Sequence, residues 1–179
     1  MFYRVFPLEE LRPNAAGDLT GLTPLAGANY TNVDEVTADG DTSYVSSSSV
    51  GSSTLRDLYN LPNPTNLRNS VLDKVLYVRP IFTSKYSTDN GTVQAFSVIK
   101  ENATQDDGTA TTVTASYVER GTFYFVKPSD GLKWTYTDIQ GAQTGVGHIT
   151  SGALKNPSVV RTTQCTLNVS FFRWRGGFA

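Results

Sequence analysis

The chain has 179 residues, 39% of them apolar and 17% charged, with Lys plus Arg at 15 against Asp plus Glu at 16. That length suits one core-forming domain, and a net charge of -1 offers no broad positive field, so neither nucleic acid nor a membrane surface is expected as a partner. A single cysteine, Cys165, and a single histidine, His148, exclude an internal disulfide, a thiolate metal cage and a multi-histidine centre, and no cofactor or metal is expected.

No apolar run approaches the roughly 18 residues that span a bilayer. The opening MFYRVFPLEELRP lacks the charged-then-apolar order of a signal peptide, so a soluble, unprocessed chain is expected. Ser and Thr total 39 and Tyr and Phe total 18, against a thin supply of Lys, Glu and Gln, which favours strands and turns over helices.

Residues 1–6 alternate well enough for a short strand. Residues 7–28 are punctuated by Pro7, Pro13, Gly17, Gly21, Pro24 and Gly27 and carry Leu8, Leu11, Leu19, Leu22 and Leu25. So many leucines argue for a docked arm, lying along the domain or on a neighbouring subunit. From Asn29 to Leu61, short apolar groups separated by Asp, Gly and Ser read as short strands.

Residues 71–83 form the clearest strand, with Val71, Val75, Tyr77 and Ile81 on one face and Leu72, Leu76, Val78 and Phe82 on the other. Two apolar faces suit the middle of a sandwich or a subunit contact, and Pro80 calls for a bulge or an unpaired edge. Asp89-Asn90-Gly91 is a hairpin-turn signal, with 92–100 as the returning antiparallel strand. A polar loop at 101–111 leads to two strands within 112–127. The stretch 127–149 holds Trp134 and a single helical turn capped by Thr137 or Asp138. In the last strand, 159–172, Val160, Thr162, Gln164, Thr166, Asn168 and Ser170 share a wet face, and 173–179 read as an extended tail. These elements make an all-β chain, a single β-sandwich of jelly-roll type, with the N-terminal strand and arm at 1–28, the sandwich at 29–172 and the tail at 173–179.

The chemistry is sparse. Asp39-Gly40-Asp41-Thr42-Ser43 spaces oxygen donors as a calcium loop begins, but Tyr44 and Val50 stand where Gly and Glu are needed, so turn chemistry is the stronger reading. His148 and Ser151 lie in no nucleophile-elbow setting, Cys165 reads as a small buried hydrophobe, and Asp106-Asp107 as a solvated loop pair. The Asn-x-Ser/Thr triplets at Asn29, Asn90, Asn102 and Asn168 are expected by chance at this Ser/Thr content. No catalytic residue is assigned. Trp134 and Tyr136 form a candidate sugar-stacking platform, although a two-sheet core is the commoner place for such rings.

Two stretches resemble small virion structural proteins of tailed bacteriophages, of the capsid-decoration or tail-associated kind. One runs Val36-Thr-Ala-Asp39-Gly-Asp41-Thr-Ser-Tyr44-Val45, followed by Gly51 and Asp57-Leu58-Tyr59-Asn-Leu61. The other runs Pro128-Ser-Asp-Gly131-Leu-Lys-Trp134-Thr135, followed by Gly145-Val146. The resemblance spans roughly residues 29–149, and Lys127-Pro128 replaces the family's frequent Asp-Pro. It implies a non-enzymatic subunit, made in the host cytoplasm and resident in the virion, whose partners are copies of itself and other virion proteins. On that reading the arms make the contacts, through Leu8, Leu11, Leu22, Leu25, Phe172, Trp174 and Phe178. The alternative is a carbohydrate-binding host-recognition module on the virion surface, using Trp134 and Tyr136.

Overall fold

In the computed structural model the described residues are 2–5, 7–49, 52–151 and 157–176, with side chains described for all of these except 2–5, 48–49 and 174–176. In chain order the strands are β1 (Phe2–Val5), β2 (Leu8–Leu11), β3 (Ala15–Thr20), β4 (Thr23–Pro24), β5 (Val45–Ser49), β6 (Ser53–Asn60), β7 (Asp73–Thr88), β8 (Val93–Glu101), β9 (Thr104–Asp107), β10 (Thr111–Thr112), β11 (Val118–Gly121), β12 (Gln143–Thr150) and β13 (Ser158–Gly176). One short helix, α1 (Tyr136–Gln140), precedes β12.

The strands make two antiparallel sheets. Sheet A runs β11-β7-β13-β5-β4, and sheet B runs β10-β8-β12-β6-β3 with β9 also on β8. The pairings are nested: β5 with β13, β6 with β12, β7 with β11, and β8 with β9 and β10. A long antiparallel hairpin rolled up so that successive strands alternate between sheets gives this order, which is the jelly roll. The sequence reading of a jelly-roll sandwich therefore holds.

The long strands explain why the roll closes. β7 and β13 pair from Thr88↔Val159 to Asp73↔Arg173, with three register shifts that leave Leu76, Ser87 and Thr163 as extra residues. Each extra residue flips the alternation beyond it. Val75 and Val78 consequently both point inward, while Tyr77, Arg79 and Ile81 point out. The wet face expected over 160–170 is split at Thr163: Val160 and Thr162 are fully buried, whereas Gln164, Thr166 and Asn168 line the outer side.

Between the sheets lie two large apolar clusters. Leu11, Leu67, Val75, Val78, Ile99, Trp134, Ile139, Leu167, Val169 and Phe171 fill one end. Leu22, Val33, Val45, Tyr59, Phe82, Val146, Val160 and Cys165 anchor the other. Burial of each large side chain is worth roughly 1.5–3 kcal/mol before entropy is charged against it, which is enough for a fold without a disulfide.

Several local expectations are corrected. Asp89-Asn90-Gly91 does not close a hairpin: β7 pairs in sheet A and β8 in sheet B, so the turn is a corner between sheets. The hairpin falls inside the expected polar loop, where Glu101↔Thr104 closes β8 and β9 around Asn102, whose φ of 54° gives the left-handed turn geometry that Asn tolerates. The helix cap is Thr135, which accepts from the Asp138 backbone N–H while the Asp138 carboxylate accepts from the Thr135 backbone N–H.

Residues 8–24 lie along the domain, one of the two placements expected of a docked arm, and do so as short strands. β2 pairs with Leu167–Ser170 of β13, β3 with β6, and β4 with β5. The C-terminal tail likewise continues β13, with Phe2↔Gly176 and Val5↔Arg173 pairing the two ends of the chain.

Candidate binding face on the outer side of sheet A

The outer side of sheet A carries a polar hollow beside an aromatic patch. The hollow, about 230 Å³, has Gln164, Thr166 and Asn168 of β13 and Ile81 of β7 on its floor, with Glu10, Glu119 and the Val36–Ala38 loop as walls. The register sets this order: Asn168 lies directly between Arg79 on β7 and Glu10 on β2.

The loop that forms one wall is pinned by its carboxylates. Asp41 accepts from Lys85 Nζ at 2.6 Å, Arg161 at 2.9 Å and the Tyr117 hydroxyl at 3.1 Å. The Lys85 hydrogen bond is the main reason its carboxyl is held below the usual range. Asp39 accepts from Thr163 Oγ1 and from Ser43. Gln164 donates to the Glu35 carbonyl at 2.9 Å, fastening the same loop to the floor. The two aspartates are thus held mainly by lysine, arginine and hydroxyl donors from distant strands, where the turn reading of Asp39 and Asp41 expects local backbone N–H donors.

What distinguishes the hollow is its unused hydrogen-bonding capacity. Among the described residues, six buried side-chain polar atoms have no partner, and four of them, Arg12 Nε, Glu35 Oε2, Arg79 Nε and Asn168 Oδ1, belong to residues in or beside it. Buried polar atoms are ordinarily satisfied, so such a concentration marks a place with a partner to gain. Glu35 also feels its burial, which raises its carboxyl above the ordinary range against the opposing hydrogen bond from Ser43.

Arg79 joins the hollow to the patch. Its guanidinium lies 4.9 Å from the Phe123 ring centroid and 3.5 Å from Glu119. Tyr77 meets Phe123 edge-on at 5.1 Å and Phe125 at 6.0 Å, and the two phenylalanines stack at 6.2 Å. Residues 122–125 continue alongside β7 through the Val78↔Tyr124 bridge, so Tyr124 faces in and its neighbours face out. Phe123 and Phe125 are 50% and 57% exposed, with Val126 and Leu132 also exposed. These rings make an exposed aromatic cluster on the surface rather than part of the core.

The residues singled out in the sequence fall elsewhere. Trp134 is 97% buried in the core, so it is not an exposed platform, and Tyr136 is half-buried beside it. Leu11 and Leu22 are buried in their own domain, while Leu8 and Leu25 are about half exposed. Phe172 is half-buried opposite Lys74. The Trp174 backbone pairs with Arg4, and Phe178 lies outside the described residues. The missed residues, Tyr77, Arg79, Phe123, Phe125 and Asn168, had one available signal: the apolar outer face of 71–83 next to the wet face of 164–170.

His148 is fully buried between the sheets. Nε2 lies 2.8 Å from Thr162 Oγ1, Nδ1 lies 3.1 Å from Ser47 Oγ, and Thr162 in turn meets Ser84 Oγ at 2.5 Å. Burial alone pushes its pKa down to about 3, so the ring is neutral and serves as a polar tie across the sandwich.

No family model and no curated protein matches the chain. Among solved structures it is similar to TmCBM61 in complex with beta-1,4-galactotriose, at 8% identity and a TM-score of 0.43, over 96% of this chain and 88% of that one. It is also similar to the family 11 carbohydrate-binding module from Clostridium thermocellum in complex with a beta-1,3-1,4-mixed-linked tetrasaccharide, at 10% identity and a TM-score of 0.38, over 93% of this chain and 86% of that one. At TM-scores below 0.5 these likenesses assign neither a ligand nor a site to this chain.

Proposed function

We propose that the chain is a non-catalytic carbohydrate-binding module whose ligand lies on the outer face of sheet A. The observation that carries this is the adjacency of exposed Tyr77, Phe123 and Phe125 to a hollow whose Arg79 Nε and Asn168 Oδ1 have no partner. A sugar ring is amphiphilic: its C–H face packs on an aromatic ring, and its hydroxyls both donate and accept. Arg79 Nε offers a donor and Asn168 Oδ1 an acceptor from cross-strand neighbours, so one hydroxyl between them satisfies both. Arg79 now lies toward β11, over Phe123, near Glu119 and beside Gly121, and on this reading its guanidinium turns toward Asn168 to admit the hydroxyl. A neutral oligosaccharide fits best, because carboxylates stand on both sides of the hollow.

A glycan array with the purified chain tests this, followed by calorimetry on the best ligand with Phe123→Ala. Binding is expected to fall by about tenfold on loss of the ring. An array without hits, or a ligand indifferent to Phe123, contradicts the reading.

A second reading, the virion structural subunit, is supported by a different feature. β7 begins at Asp73, opposite Arg173, so β1 and the end of β13 run past it as a two-stranded ribbon with both outer edges unpaired among the described residues. Open edges of this kind add strands from a second chain. Deleting residues 1–5 and measuring mass in solution separates the readings: an assembly that collapses to monomer supports the subunit, and a chain monomeric before and after deletion opposes it.

A further inference from the structure

A second cleft lies away from the outer face of sheet A, where the segment entering β7 meets α1. It encloses about 240 Å³ between Arg68, Ser70, Lys74 and Val75 on one side and Trp134 and Tyr136 on the other. We propose that this cleft binds a small carboxylate-bearing ring, of which a sugar acid is the representative chemistry. The inference does not depend on the reading of the hollow above, with which this cleft shares no lining residue.

Three observations converge on it. Trp134, 97% buried among apolar side chains, lines the cleft, and its indole Nε1 has no hydrogen-bond partner. An indole nitrogen is a donor only, so what it lacks is an acceptor. Next, the charge at the cleft is positive: among the described residues neither Arg68 nor Lys74 is in an ion pair, and Arg68 acts on Asp73 only as a minor electrostatic influence behind Arg173. The one carboxylate in the lining, Asp73, is already taken. Arg173 grips it through Nε and a terminal nitrogen, each at 2.7 Å, and the Arg68 backbone N–H donates to it at 2.9 Å. The Arg173 hydrogen bond is the leading cause of its lowered pKa. Finally, the volume lies below the roughly 300–1,000 Å³ typical of drug-sized ligand sites, so a single ring is the right scale, and Tyr136 supplies an aromatic wall for it.

The ligand carboxylate accepts from the Trp134 indole and lies between Arg68 and Lys74, with its ring against Tyr136. With Asp73 neutralised, the cleft favours anions and discriminates against the uncharged analogue of the same ring.

Two-dimensional nitrogen–proton NMR reads this directly, since the chain has two tryptophans and Trp134→Phe assigns the indole signals. Galacturonate is the probe and galactose the uncharged control, each titrated into the millimolar range. The Trp134 indole signal is expected to move with galacturonate and not with galactose, and Arg68→Gln and Lys74→Gln, both at exposed positions, are each expected to weaken the response roughly tenfold. An indole signal that ignores galacturonate, that moves equally with galactose, or that responds unchanged in both variants overturns the proposal. A chain that binds neutral oligosaccharide yet fails here disproves this cleft alone.

Discussion

Arg79 and Asn168 face each other across β7 and β13 on the outer side of sheet A, and each buries a polar atom, Nε and Oδ1, that meets no partner. Leaving a buried donor and a buried acceptor unpartnered on neighbouring residues costs stability, of the order of 1–3 kcal/mol for each unsatisfied group. Function is the usual reason for keeping such a cost.

Asn168→Ala is therefore expected to leave stability unchanged or raise it slightly while weakening oligosaccharide binding at least severalfold. Urea unfolding and calorimetry on the same preparation check the two halves. A variant that loses stability and keeps its affinity assigns Asn168 to the fold instead.

His148 makes stability depend on pH. Its pKa is about 3 in the folded chain against 6.5 when exposed, so the unfolded chain takes up the proton first as pH falls. The stabilisation is complete above the unfolded value and erodes below it, by at most about 1.4 kcal/mol per pH unit between 6.5 and 3. Asp57, raised by burial, binds its proton more readily when folded and offsets part of the loss at the acid end. Urea midpoints at pH 7 and pH 5 are expected to differ in the parent chain and to converge in His148→Gln; equal slopes in the two would falsify the assignment.

Asp57 ties the N-terminal segment to sheet B. Its carboxylate accepts from the Leu22 backbone N–H at 2.8 Å, from Asn29 Nδ2 at 2.5 Å and from the Tyr59 hydroxyl at 2.9 Å, all at a fully buried position. Asp57→Ala strands those donors and is expected to cost roughly 3 kcal/mol or more, read as a lower denaturation midpoint. Asp57→Asn keeps one acceptor oxygen and is expected to lose less.

Gly147 sits in the centre of β12 beneath the Phe96 ring, where an added Cβ would come within 2.1 Å of the ring. Gly145 is tighter against backbone, at 1.9 Å from the Asp57 carbonyl. Gly145→Ala is expected to be the more damaging substitution, because a neighbouring strand cannot rotate aside as a ring can; overpacking costs of roughly 1–3 kcal/mol are the scale for Gly147→Ala. Thermal unfolding ranks them, and the reverse order would contradict the packing described.

Much of this fold was legible in the residues and less of the site was. Alternation identified the strand at 71–83 and the one at 159–172, and the absence of any long helical period gave the sandwich. Bulges at Leu76 and Thr163 were not legible, because an extra residue leaves no mark in composition, and they decide which side chains face out. Asp89-Asn90-Gly91 carries a hairpin's letters, but β7 and β8 each found a longer partner in a different sheet, and tertiary pairing overrode the local signal. Trp134 drew attention as an aromatic, and its place in the core follows from the Thr135 cap that turns α1 inward so that Ile139 packs beside it. Alternation puts Phe123 and Phe125 on one face of a strand without saying which face is buried; the bridge at Tyr124 turns both outward.

NMR mapping of a bound oligosaccharide on isotope-labelled chain tests most directly whether the ligand lies on the outer face of sheet A. Perturbed signals are expected at Gln164, Thr166 and Asn168, together with broadening of the Tyr77, Phe123 and Phe125 rings. Perturbations confined to sheet B, or an unchanged spectrum with every sugar tried, would contradict the account.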